Sequence, residues 1–196
     1  MRMIIERRQN LTKLLLVRTS SKDSRLLDRM ESHYSKPKGF VGRSLCYAVI
    51  YNWRYYGHIV AGSATLNLPN RHKFLGTNKE QLNNIVNNIF FNISPWDKKY
   101  PLRNFSSLVV KTWMSRVIQD WKAIYGDEVK GFETLIEPPR TGELYLRAGF
   151  SHIGTTKGYT CKRTKGSSKS EKYTGVRVWD YENLRPKHVL AYRIKD

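Results

Sequence analysis

Residues 44–66 hold two apolar runs almost back to back, "SLCYAVIYNW" and "GHIVAGSATL", parted only by "RYYG". Apolar runs of that length around so short a break read as an antiparallel hairpin, and the rest of the chain must build and cover a sheet around it. "LTKLLLVRT" reads as a preceding strand. "SSKDSRLLDRMESHY" reads as a helix with Ser20 or Ser21 as N-cap and Leu26, Leu27 and Met30 on one face. "TNKEQLNNIVNNIFFNIS" starts with a Thr77 cap and helical spacing of Leu82, Ile85 and Ile89 but ends in β-prone "IFFNIS", predicting a short helix that feeds a fourth strand. The clearest helix is "PLRNFSSLVVKTWMSRVIQDWKAIYG", with Leu108, Trp113, Val117, Trp121 and Ile124 as its apolar stripe and Gly126 as its stop. "GFETLIE", "RTGELYLRAGF" and "SHIGTT" then read as strand, short helix and strand, and "HVLAYRI" as a final edge strand. The order is mixed α/β.

The charge is the second constraint. The 196 residues carry a formal net charge of +19, a field that recruits polyanions. Residues 1–43 hold eleven basic against four acidic side chains and residues 157–196 the same, while residues 44–156 hold thirteen against eight. Both flanks are therefore suited to gripping phosphates, and nucleic acid is the leading partner. Two cysteines, Cys46 and Cys161, without zinc-site spacing argue against a metal framework or disulfides. "LLLV" is too short to span a bilayer and the first ten residues do not read as a signal peptide; a reducing, cytoplasmic setting is expected.

Three stretches suit chemistry. "SPWDKKYPLRNFSSLV" sets Arg103, Asn104, Ser106 and Ser107 at a helix start, where free backbone N–H groups and partial positive charge can hold a pyrophosphate; simple capping by Asn104 or Ser106 is the structural alternative. "ETLIEPPRTGELY" places Glu137 at a strand end and Tyr145 a short helix later, a carboxylate to accept a proton and a phenol to donate one; solvated ion pairing is the plainer role for such carboxylates. "SHYSKPKGFVGRS" groups His33 and Tyr34 with Lys36, Lys38 and Arg43, and "KGYTCKR" brings Lys157, Lys162 and Arg163 beside a tyrosine, so both can stack bases and grip phosphates. His33 is equally suited to capping a helix C-terminus.

"ELYLRAGFSHIG" resembles the closing helix and strand of the GNAT-type acetyltransferase superfamily. "SHYS", "RNFSS", "LIE" and "GELYLRAGF" in that order resemble the Mom family of phage DNA-modification proteins over about residues 14–156. "HYS", "VGRSL", "NN" and "PLRN…RVIQDW…YG" are similar to the DruA-like domain of Druantia defence systems. The resemblance implies a GNAT-like mixed sheet with flanking helices; the composition assigns that domain to residues 1–164, followed by a basic C-terminal extension over 165–196 that holds the final strand. The Mom resemblance implies an enzyme that takes an acyl group from acetyl-CoA or another acyl-CoA to adenine N6 in double-stranded DNA, with further processing of that group to a carbamoylmethyl-type product, and so shields phage DNA from restriction in a bacterial host. Ser106 or Ser107 would match that family's helix-start serine, Glu137 its strand-end acid, Tyr145 its helix tyrosine, and His33 with Tyr34 its front-loop pair, a place that also admits iron. The family's acid is usually Asp, and "RNFSS" stands where the superfamily has a Gly-rich pyrophosphate loop. The DruA-like resemblance implies a non-catalytic DNA-binding module, and a third alternative is an acetyltransferase for a protein or small amine.

Overall fold

The computed structural model describes residues 14–94, 99–163 and 177–194. Strands β1 (Leu14–Thr19), β2 (Ser44–Tyr51), β3 (Arg54–Ser63), β4 (Ile85–Ile93), β5 (Gly131–Ile136), β6 (Ser151–Thr155) and β9 (His188–Arg193) form one seven-stranded sheet in the order β1-β2-β3-β4-β5-β9-β6. Among the described residues only the β4–β5 pair is parallel. Strands β7 (Thr160–Arg163) and β8 (Arg177–Asp180) pair separately as an antiparallel ribbon.

Both faces of this sheet are covered, which is why β2 and β3 read as nearly unbroken apolar runs. Leu45, Tyr47, Val49, Ile59 and Ala61 face α3 (Phe105–Tyr125), and the alternate residues Cys46 and Val60 face α1 (Ser24–Ser32) with Leu26 and Met30. The short helix α2 (Arg71–Leu75) packs Leu75 beside Ile85 and Ala191, and α4 (Glu143–Ala148) joins the α3 layer through Tyr145 and Ala148.

Several expectations are corrected. The hairpin turns at Asn52–Trp53, with φ of 47° and 66°, and "RYYG" belongs to β3; two consecutive left-handed residues match the twist of the strands. Helix α1 is capped by Asp23, whose Oδ1 accepts from Arg25 N, rather than by Ser20 or Ser21. Residues 79–84 form a 3-10 turn capped by Asn78 instead of Thr77, because Asn78 and Gln81 satisfy each other in a capping box. Ile85 and Ile89 lie on β4, not on a helix. In α3, Leu108 and Ile124 are exposed, and the buried stripe runs through Phe105, Val109, Trp113, Val117 and Trp121. Strand β9 is interior, hydrogen-bonded to both β5 and β6, so part of the expected basic extension completes the sheet. The polar stretch 165–172 lies outside the described residues.

Candidate functional site

A cleft opens where β4 and β5 part. Their ladder ends at Asn87↔Glu133, and the β3–β4 register jumps from Val60↔Phe90 to Ala61↔Asn88, leaving Ile89 as an extra residue in β4. A bulge bends its strand and re-aims the residues beside it. The Asn88 side chain fastens the bend: its Nδ2 donates to the carbonyls of Val60 (3.1 Å) and Phe90 (3.3 Å), and Thr134 Oγ1 donates to Asn88 O (3.1 Å) across the gap. The resulting cavity, about 1030 Å³, is walled by Asn87, Asn88 and Phe91 of β4, Thr134 and Ile136 of β5, and the first turn of α3.

At that turn, Asn104 takes a left-handed conformation (φ 61°) and its side chain does not cap the helix; nor does Ser106. Ser107 Oγ donates to Asn104 O (2.9 Å), and Arg147 Nη1 lies 3.4 Å from Asn104 Oδ1. The N–H groups of Ser106 and Ser107 belong to the helix's first turn, which has no intrahelical acceptor to offer them. Asn104, Ser106 and Ser107 line the cavity, whereas Arg103 is exposed and does not.

Across the cavity, His33 stacks between Tyr34 (4.2 Å between ring centroids) and Phe90 (4.8 Å), and the Arg140 guanidinium lies 3.5 Å above the Tyr34 ring. His33 Nδ1 is 2.8 Å from Ser35 Oγ. Burial, helped by Arg140, holds the His33 imidazole below its ordinary pKa, so it is neutral near pH 7. His33, Tyr34, Arg140 and Lys187 all line the same cavity.

Tyr145 is 4% exposed, its ring against Phe150 and Phe91. Its hydroxyl donates to Asn88 Oδ1, and burial keeps the phenol protonated far above the usual tyrosine range. Glu137 follows β5 as expected, but its carboxylate pairs with Lys187 (3.5 Å), and it is Lys187 that reaches the cavity wall. The fully buried acid is Glu133, on the last rung before the fork: it accepts from Thr65 N (2.6 Å) and pairs with the equally buried Arg71 (3.1 Å). Glu143 pairs with Arg147 on the surface of α4.

Of the expected phosphate contacts, Lys36, Lys38 and Lys157 are exposed. Arg43 is half-buried in an ion pair with Asp127 and over the Tyr125 ring (4.9 Å), which commits its guanidinium to the fold. The side chains of Lys162 and Arg163 lie outside the described ones. Among the described residues no group of three His, Cys, Asp or Glu side chains is placed to hold a metal. No helix among them is long and apolar enough to cross a membrane. Asn88, Arg140 and Lys187 escaped the sequence reading; the one available signal was "NN" inside an apolar strand, where asparagine is disfavoured unless its amide is used.

The family model described as Druantia protein DruA matches residues 2–170. A search of curated protein sequences returned no match. Among solved structures, a Bacillus subtilis acetyltransferase in complex with CoA is similar at a TM-score of 0.56 and 10% identity, over 93% of this chain and all of that one. The aminoglycoside acetyltransferase AAC(6')-Ib, in complex with coenzyme A and kanamycin, gives 0.55 and 12%, over 92% and 95% of the two chains. The ribosomal-protein-S18-alanine N-acetyltransferase from Escherichia coli gives 0.51 and 9%, over 94% and 96%. These likenesses show a common fold, that of the GNAT acetyltransferases.

Proposed function

The chain belongs to the DruA family and has the GNAT acetyltransferase fold, and from that premise we propose that it transfers an acyl group from acyl-CoA to double-stranded DNA, at the exocyclic N6 of adenine. The observation that carries the reading is the fork between β4 and β5, continuous with the open first turn of α3. Beyond Asn87 the edges of both strands lack their ladder partner, which suits the amides of a pantetheine arm. The N–H groups of Ser106 and Ser107 at the positive end of α3 suit a pyrophosphate. Acyl-CoA supplies an activated thioester acyl group there, and the Bacillus subtilis and AAC(6')-Ib acetyltransferases, solved with coenzyme A, share this fold.

The chain's own residues then divide the work. Adenine N6 lies inside the duplex, so the base must leave the stack, and His33 and Tyr34 bring aromatic side chains to the cavity that would receive it. Arg140 and Lys187, on the same wall, suit the flanking phosphates. His33 is neutral, and its Nδ1, the ring nitrogen that accepts from Ser35 N, is suited to take the proton that the amine sheds once it leaves that contact. Tyr145 holds a proton that it can give to a leaving thiolate only by releasing Asn88, and otherwise keeps the fork rigid. Glu137 acts through Lys187, which it orients.

A second reading, a DruA-like DNA-binding module without catalysis, is favoured by that occupied Tyr145 hydroxyl and by "RNFSS" at the start of α3 in place of a Gly-rich loop. Dependence on acyl-CoA separates the two. Acetyl-CoA at a hundred times its Kd stabilises a binding protein by about 2.7 kcal/mol, visible as a raised melting temperature. Nucleoside mass spectrometry of DNA from expressing cells is expected to find a modified deoxyadenosine. Tyr145→Phe is expected to lower its yield while DNA binding persists. No thermal shift together with unmodified deoxyadenosine would reject transfer and leave the binding module.

A further inference from the structure

Trp53 sits at the second position of the two-residue turn between β2 and β3 and is 91% exposed. Its φ of 66° lies in the left-handed region, where a bulky side chain is an outlier and where this kind of turn ordinarily places glycine. The indole thus gains nothing from burial and opposes its own backbone conformation. Among the described residues nothing buries the indole, which points to a use outside the fold.

The turn is at the cleft's end of the sheet. Tyr51 and Tyr56, which flank it, are both buried against Phe105, the first residue of α3, at 5.5 and 5.2 Å between ring centroids. Ser94 N, just past β4, donates to Tyr56 O (2.8 Å). Phe105 is itself a cavity wall, so the rings of Tyr51, Tyr56 and Phe105 connect the turn to the site. Exposed Arg54 follows the indole. An exposed indole followed by an exposed arginine, on a chain of net charge +19, is complementary to a polyanion whose bases offer stacking faces.

We propose that Trp53 is a stacking wedge that enters the base stack of DNA and fills the place of the base taken into the cavity. It rests on the reading of DNA as the partner and is independent of acyl transfer. Insertion of an apolar side chain between base steps unstacks them, and the inserted ring restores part of the lost stacking.

The test uses the full chain and a DNA duplex of about 20 base pairs carrying 2-aminopurine in place of one adenine, whose fluorescence rises on unstacking. Trp53→Gly relieves the positive φ and is expected to melt no lower than the parent protein. It should bind the duplex about ten to a hundred times more weakly, the loss usual for one stacked base, and lose the fluorescence rise. Trp53→Asn, which also tolerates the left-handed region, should behave alike, whereas Trp53→Phe should keep most of both signals. Equal affinity and fluorescence in the parent, glycine and asparagine proteins overturn the wedge and leave Trp53 as a contact for a protein. A parent protein with no affinity for the duplex overturns the wedge and the DNA reading together, while a shift with acetyl-CoA would still report on transfer separately.

Discussion

His58 has lost the charge that its side chain would carry in mildly acidic water. It lies on β3 with no exposed surface, its Nδ1 2.7 Å from the Tyr55 hydroxyl and its Nε2 buried without a partner. Burial pushes its pKa down to about 4; Asp23 opposes that shift, and Arg25 and Arg29 add to it. The folded imidazole therefore stays neutral while the unfolded one protonates near 6.5, so stability falls as pH drops from about 6.5 to about 4. The group's share is roughly 3 kcal/mol at most. His58→Gln, which keeps an acceptor for Tyr55, is expected to flatten the slope of urea-unfolding free energy over that window; an unchanged slope would assign it to the carboxylates. His33 and Tyr145, each in a short motif beside a strand or helix end, both line the cavity, whereas Glu137, the strand-end carboxylate, is paired with Lys187, fifty residues on, a partner that no local pattern reveals.

The elements were legible where one periodicity ruled. Helix α3 and the β2–β3 hairpin follow from apolar spacing, and Gly126 ends α3 with φ 76° as a left-handed stop should. Strand β4 defeated the same approach, since a strand covered on both faces carries apolar residues in both registers and mimics a helix. Its Ile89 bulge is a matter of register with β3, which no local pattern encodes. The Arg71–Glu133 pair is the matching case between elements: Glu133 of β5 holds α2 and the Thr65 backbone to the sheet at the fork's last rung. Breaking one side of a buried pair leaves the other charge stranded, at about 3–5 kcal/mol. Glu133→Gln is expected to lower the urea midpoint accordingly, and Arg71→Met with Glu133→Leu to recover much of the loss. A single variant as stable as the parent would show that water reaches Arg71.

On the scale of the whole molecule, a net charge of +19 makes any DNA affinity steeply dependent on salt. If six to ten phosphates are neutralised, binding should weaken by about 10³–10⁵ between 50 and 200 mM salt, as read by fluorescence anisotropy. A flat salt response would place the charge in solubility rather than recognition. The sequence alone determined the mixed α/β order, the positive flanks and the helix start at residues 103–107, because composition, apolar period and caps act over a few neighbouring residues. Tertiary structure decided the rest: that β9 enters between β5 and β6, that Asn88 holds the β4 bend and meets Tyr145, and that His33, Arg140 and Lys187 share one cavity. Those contacts join residues tens to more than a hundred positions apart, and only packing, which closes such distances by burying apolar surface, selects which distant groups meet.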